Sequence, residues 1–394
     1  MKAGWQTKSL GDLCQFVGGG TPSKGNASFY TGDIPWATVR DMRSELLFET
    51  EFKITNDAIK SSSTNIIPKD NVVIATRVGL GKVCIVKQDT AINQDLRGII
   101  PNNKNELSVD FLFSWLKSIS QRIIDEGTGA TVQGVKLPFI KSLKINVPPI
   151  QEQQRVVAIL DEAFEQITIA RANTEKNLQN ARALFESHLQ SVFTQRDEGW
   201  VDLTLDKVCV VERGSSPRPI KDFFTTAFDG VNWIKIGDTE QGGKYVYSTA
   251  QKITAEGAKQ SRYVKEGDFI LTNSMSFGRP YIMKTEGYIH DGWFVLRLGN
   301  LVITDYFYYL LSSSYVQEQF SRLAAGAIVK NISGDLVKKA LLSIPPIQMQ
   351  EVLVKKFVEL SEETQRLESL YQRKLTALEE LKKSLLHKAF AGEL

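Results

Sequence analysis

The feature that most constrains this 394-residue chain is that it repeats itself once. Trp5 to Leu10 recurs as Trp200 to Leu205, and Cys14 falls on Cys209, at an offset of 195. The offset is 197 at Trp36 and Trp233, and 199 where Lys53-Ile54-Thr55 meets Lys252-Ile253-Thr254. Gly129-Ala130 matches Gly326-Ala327, and Pro148 to Gln153 matches Pro345 to Gln350 in five of six positions, both at 197. The order is collinear and the offset drifts by a few residues, as in a duplicated unit with small loop insertions. The period is too long for a solenoid, so a whole domain has doubled.

Each copy opens with a stretch (1–149 or 199–346) that mixes short apolar runs with Gly, Pro, Asn and Asp. Asn71 to Thr76 and Asp268 to Thr272 read as buried strands. Thr55, Thr254 and Ser108 stand where helix N-caps belong. The Ser108 helix is expected to run through Phe111, Trp115, Ile119 and Ile123, with Asp305 opening its counterpart. Alternating elements of this kind give a globular α/β or α+β domain. The double proline then ends it, since proline cannot continue a strand or helix interior. In 150–198 and 347–394 no further proline follows. Leu160, Phe164, Ile167, Leu178, Ala181, Phe185 and Val192 recur at heptad-like spacing, as do Leu360, Leu367, Tyr371, Leu378, Leu381 and Leu385. A helix of this length spans roughly 60–70 Å and cannot bury such a stripe against itself. The expected fold class is therefore α+β, with two similar globular α/β domains joined by a long antiparallel two-helix coiled coil and related by a pseudo-two-fold axis. In this reading the helices act as a ruler that holds two readers at a set spacing.

Composition narrows function by exclusion. Lys plus Arg is 48 and Asp plus Glu is 45, with the small basic excess in the two globular stretches (+4 and +2). That permits nucleic-acid binding. No apolar run spans a membrane, and no apolar leader is evident. Three cysteines and three scattered histidines build neither a disulfide framework nor a zinc site, so the expected compartment is the reducing cytoplasm. Gly79-Leu80-Gly81-Lys82 lacks the spacing of a phosphate loop, and no dinucleotide-binding glycine pattern is present. Asn146-Val147-Pro148-Pro149 suggests an amino-methyltransferase tetrad, but a valine intervenes and no aromatic residue follows. A hinge is the expected reading. No catalytic or metal-ligating set emerges.

The polar loops carry the remaining signal. Thr76 to Lys82 and Thr272 to Arg279 keep strand and glycine positions while their polar side chains change. Arg77, Lys82, Asn273, Ser274 and Arg279 are candidate DNA contacts, Arg suiting guanine and Asn suiting adenine. The alternative is that Arg77 and Asn273 serve phosphate or their own turn. Thr131, Gln133, Lys330 and Asn331 sit in small-residue loops at equivalent positions, able to hold phosphates or simply to turn. Lys24 and Arg218 end basic loops, and Arg40 and Lys235 are further basic candidates. The paired tryptophans Trp5/Trp200 and Trp36/Trp233 are expected in the core.

With its duplicated plan, its Pro-Pro-Ile-Gln-x-Gln segments at 148–153 and 345–350, its strand–loop segments 69–86 and 265–283 and its ending from Leu385 to Leu394, the chain resembles the specificity subunit of type I restriction-modification systems. The resemblance covers essentially the whole chain. It implies target recognition domains at 1–149 and 199–346, a central helical spacer at 150–198 and a C-terminal one at 347–394. Each recognition domain would read half of an asymmetric bipartite double-stranded DNA site. The helices would set the spacer and dock two DNA methyltransferase subunits, with Val157, Ile169, Leu370 and Leu375 as candidate docking residues. S-adenosylmethionine is then expected on those partners, and ATP and magnesium on any restriction motor-nuclease subunits. This chain would itself be non-catalytic. A coiled-coil adaptor that binds proteins and not DNA is the alternative from another class.

Overall fold

The structure is a computed structural model that describes residues 4–129, 134–195, 198–240, 242–273, 278–324 and 333–394. The chain divides into two units, 1–174 with 373–394, and 175–372. In the first, a five-stranded sheet has the order Cys14–Gly18, Leu96–Pro101, Asn71–Ala75, Val83–Val86, Leu46–Leu47. A four-stranded sheet has the order Phe52–Ile54, Ile34–Ala37, Thr90–Ile92, Asn65–Ile67. The second unit repeats this plan as Cys209–Arg213, Trp293–Leu298, Phe269–Thr272, Pro280–Met283, Tyr245–Val246, and as Gln251–Ile253, Val231–Ile234, Gly287–Ile289, Arg262–Val264, with Phe224–Thr225 added at the edge. A short strand pair joins the start of each copy to its end, Gln6–Ser9 with Lys144–Val147 and Val201–Thr204 with Leu341–Ile344.

Most pairings are antiparallel, so each domain is α+β rather than a doubly wound parallel sheet. The central strand Asn71–Ala75 is buried throughout. Val72 and Ile74 face the cluster under helix Val109–Ser118, while Val73 and Ala75 face the second cluster with Ile67 and Ile92. Side chains alternate across a strand, so a strand covered on both faces reads as a continuous apolar run, here Val72 to Ala75. In the second copy Phe269 and Leu271 lie on the helix side and Ile270 on the other.

The caps fall where the sequence places them. Ser108, Thr55 and Thr254 accept from the backbone N–H groups of Phe111, Ala58 and Gly257. One expectation needs correcting. The Ser108 helix ends at Ser118, and a separate short helix, Ser120–Asp125, follows Ile119. Its apolar spacing carries on across the break, which conceals it in the sequence. In the counterpart, Thr304–Ser312, Asp305 lies in the first turn while Ile303 is the cap residue.

After each proline pair a 45-residue helix begins, Ile150–Thr194 and Ile347–Ala391. The two pack antiparallel as a coiled coil. In the first unit Arg171 pairs with Glu379, and the Arg155 guanidinium donates to the backbone carbonyl of Leu394. In the second unit Arg182 meets Glu368 at 2.9 Å, and Phe193 packs on Phe357. These exposed ion pairs contribute little stability each. The apolar seam holds the pair, and every expected residue of the first stripe is at least partly buried. The second stripe departs at Leu381, which is 48% exposed. Lys382 takes the inward place, its ammonium 5.0 Å from the centre of the Phe164 ring. The long stem of lysine lets it cover apolar surface while the charge remains near solvent.

The repeated Pro-Pro-Ile-Gln-x-Gln segment is a clamp. Gln153 is fully buried; its carbonyl accepts from Ser108 N–H at 2.9 Å, and its amide donates to the carbonyls of Glu106 and Pro148. Gln350 does the same with Ile303 N–H and the carbonyls of Leu301 and Pro345. One side chain thus stitches the helix start to the loop that opens the domain's own helix.

Candidate nucleic-acid interface

In the first unit an open cleft of about 750 Å³ is lined by Thr21, Lys24, Tyr30, Thr38, Arg40, Phe52, Asn93, Gln94 and Asp95 among others. Sequence reasoning named two of these, Lys24 and Arg40, and the fold brings them to one place. The floor is Trp36, which is 5% exposed and donates its indole N–H to the Gly20 carbonyl. Tyr30 and Phe52 meet Trp36 edge-on. Cleft walls built of aromatic rings with polar and basic side chains above them suit nucleic acid, where rings cover apolar surface and cations meet phosphates.

Arg77 is half exposed and its guanidinium lies 3.7 Å from Asp95, so it reaches the cleft rim through a carboxylate that lines it. Lys82 lies elsewhere, in a depression of about 290 Å³ with Arg43, Glu45 and Lys117. In the second unit Lys235 is half buried, and its backbone N–H donates to Asp238 at 2.7 Å. Arg218 is highly exposed and reaches Asp291 at 3.4 Å. Arg279 is partly buried beside the turn closed by Thr272.

Asn273 needs correction as a surface reader. Its residue is fully buried, and its amide donates to the Asp291 carbonyl at 3.3 Å. It braces the neighbouring 290–292 corner, since its backbone N–H also donates to the Gly292 carbonyl. Thr131, Gln133, Ser274, Lys330 and Asn331 lie outside the described residues. Among the candidate docking residues, Val157 packs against the first unit's core and Leu375 falls on the partly buried seam, so neither stands free on the surface. Ile169 and Leu370 are exposed.

The groups with chemical potential are locked into structure. Burial pushes the thiols of Cys14, Cys84 and Cys209 up to about 12, which keeps them protonated and poorly nucleophilic. Asp41 accepts from the N–H and hydroxyl of Thr38 and from Glu51 N–H, and Asp238 holds the equivalent loop through Lys235, Thr249 and Ala250. No cluster of three metal-ligating side chains occurs among the described residues. Among them no helix is long and apolar enough to cross a membrane. Asn146 is structural: its carbonyl accepts from Thr7 and its amide donates to the Phe390 carbonyl. Trp5, Trp36 and Trp233 are core residues, and Trp200 is partly buried against the second core.

Sequence reasoning missed Thr21, Thr38 and Gln94. The available signal was the alignment of Thr21-Pro22 with Ser216-Pro217 at the offset of 195.

Two similar mixed domains, the first with an aromatic-floored cleft, and a paired-helix scaffold define a protein built by duplication. The profile of the type I restriction modification DNA specificity domain matches residues 2–180 and again 197–377, and the chain belongs to that family. It is 36% identical over 168 residues to the EcoR124I/EcoR124II specificity subunit of Escherichia coli, a match covering 41% of each chain. It is 25% identical over 415 aligned positions to the MjaIX specificity subunit of Methanocaldococcus jannaschii, covering 99% of this chain and 93% of that one. A chain solved in work on complex assembly and conformational transition of the type I R-M system shares the fold with a TM-score of 0.82 at 17% identity, covering 100% of this chain and 99% of that one. The HsdS subunit of Thermoanaerobacter tengcongensis matches with a TM-score of 0.67 at 18% identity, covering 100% of this chain and 98% of that one. The chain's role is DNA sequence specificity, and catalysis in type I systems lies on other subunits.

Proposed function

We propose that each specificity domain, 1–149 and 199–346, reads one half of an asymmetric interrupted duplex site, and that the helical segments 150–198 and 347–394 set the distance between the halves. The observation that carries this reading is the pairing of one repeated framework with unlike polar residues at the cleft. Identical readers would call for a palindrome, whereas unlike readers call for two different half-sites. The unbroken 45-residue helices support the spacer role, since each contributes to both units.

The partners in this reading are double-stranded DNA and two methyltransferase subunits that carry S-adenosylmethionine. Ile169 and Leu370 are the exposed apolar helix residues assigned to docking them. Restriction subunits using ATP and magnesium complete the complex where present. The adaptor alternative accounts for the helices but gives two DNA specificity domains nothing to do. Mapping methylated adenines in cells expressing this chain with its partners tests the proposal. The expected result is one bipartite motif with unlike halves and a fixed spacer. Lengthening both helices by one turn is expected to change that spacer, and an unchanged spacer rejects the ruler.

A further inference from the structure

The chain makes one hydrogen-bonded pair twice, with different chemistry each time. In the first unit the Thr21 hydroxyl donates to the side-chain carbonyl of Gln94. In the second the Ser216 hydroxyl donates to the Asp291 carboxylate at 2.9 Å. The strand registers make these positions equivalent. Cys14 pairs with Pro101 and Cys209 with Leu298, which sets Gln94 against Asp291. The preceding loops are also equivalent. A Cβ on Gly19 would fall 2.1 Å from the Asn93 carbonyl, and one on Gly214 would fall 2.0 Å from the His290 carbonyl. Only glycine permits that approach, and it carries the hydroxyl two residues later onto the same corner in both copies. Gly20 N–H then donates to the Ile92 carbonyl and Ser215 N–H to the Ile289 carbonyl, closing the match.

Both side chains face solvent. Gln94 is exposed and lines the cleft, and Asp291 is 46% exposed beside Arg218. Both can therefore touch a ligand while the hydroxyl fixes their orientation. Resting on the DNA-reading function proposed above, we infer that Gln94 and Asp291 are the equivalent base-reading residues of the two half-sites, Gln94 selecting adenine and Asp291 selecting cytosine. With its carbonyl turned to Thr21, the Gln94 amide presents its N–H groups outward and keeps one carbonyl lone pair. That matches the N7 acceptor and N6 donor of adenine. Asp291 offers only acceptors. It suits the N4 amino group of cytosine, and it is repelled by the carbonyl and N7 edges of guanine and by thymine O4. Burial raises the Asp291 carboxyl, but the Ser216 hydrogen bond, a backbone hydrogen bond and the nearby Arg218 outweigh it and leave the group below its usual range, ionised at neutral pH.

The test is selection of randomised duplexes by the full-length chain, wild type against Gln94→Asp, Asp291→Gln and Thr21→Val, at one fixed salt concentration. Gln94→Asp is expected to turn one adenine position into a cytosine position in one half-site. Asp291→Gln is expected to do the reverse in the other half, each by about tenfold in preference. Thr21→Val is expected to blur the adenine position alone while the melting temperature stays near wild type. Unchanged preferences in both exchange variants overturn the inference, as does a uniform loss of affinity for all sequences, because that marks a phosphate or structural role. A wild-type chain that selects no recurring sequence overturns the DNA-reading function itself and the inference with it.

Discussion

Gln153 in the first unit and Gln350 in the second make the same three hydrogen bonds to the same three kinds of partner. At the cleft the units part company: glutamine at 94 stands against aspartate at 291, and Thr38 against Lys235. A buried polar clamp cannot drift, because losing one partner strands the others without water. A side chain at the cleft mouth can change freely, since water satisfies whatever it exposes. A duplicated reader therefore keeps its frame and exchanges its letters.

The largest effect that would break this comparison is loss of a clamp. Gln153→Leu leaves Ser108 N–H and two carbonyls unpaired, and Gln350→Leu does the same around Ile303. Each is expected to destabilise its own unit by about 2–4 kcal/mol, from the cost of stranding buried polar groups. Denaturant unfolding followed by hydrogen exchange should place each loss in one unit. A small change in either would show that the glutamines are incidental.

A smaller effect separates phosphate contacts from base contacts. Lys24→Ala is expected to lower the log–log salt slope of DNA binding by about 1 without altering the selected sequence. Arg77→Ala is expected to relax one base position in one half-site by about tenfold, since Asp95 holds its guanidinium at the cleft rim. Binding titrations across salt, paired with sequence selection, distinguish the two. A change of base preference with Lys24→Ala, or none with Arg77→Ala, would reverse the assignments.

Much of the frame was legible in the sequence because its signals are local. A proline pair stops a domain, a threonine caps a helix, and the four-residue apolar run Val72 to Ala75 makes a strand buried on both faces. The seam was legible except at Leu381, where counting in sevens predicts leucine inward and the turn of the helix instead brings Lys382 there. The clamp was visible as a repeat, but its task was not, because Gln153 reaches back 45 residues to Ser108. The cleft pairs were harder still. Thr21 and Gln94 are 73 residues apart and meet only because Gly19 lets the loop close on the strand end. Asn273 misled for the opposite reason, since a polar residue in a polar loop reads as exposed until the fold seals it under the Asp291 carbonyl.

The smallest predicted effect concerns acidity, and it again sets one unit against the other. His290 Nδ1 accepts from Gly292 N–H at 2.8 Å, just as the Asn93 carbonyl accepts from Asp95 N–H in the first unit. An accepting Nδ1 carries no proton, so the folded state prefers neutral imidazole. Burial between Trp233 and Trp293 pushes the His290 pKa down; Asp291 and Asp238 oppose this and Lys235 reinforces it, with a net lowering. The unfolded chain therefore takes up a proton first as pH falls through the ordinary histidine value of about 6.5. The second unit should be at full stability above that value and lose stability below it, until the folded imidazole also protonates. His290→Asn installs the first unit's residue, which accepts the same hydrogen bond and does not titrate. Thermal melts of the full chain between pH 5 and 8 should show the second unit's transition flattening in this variant while the first unit's stays put. Equal pH dependence in wild type and variant would mean that His290 is not the group that makes the two units respond differently to acid.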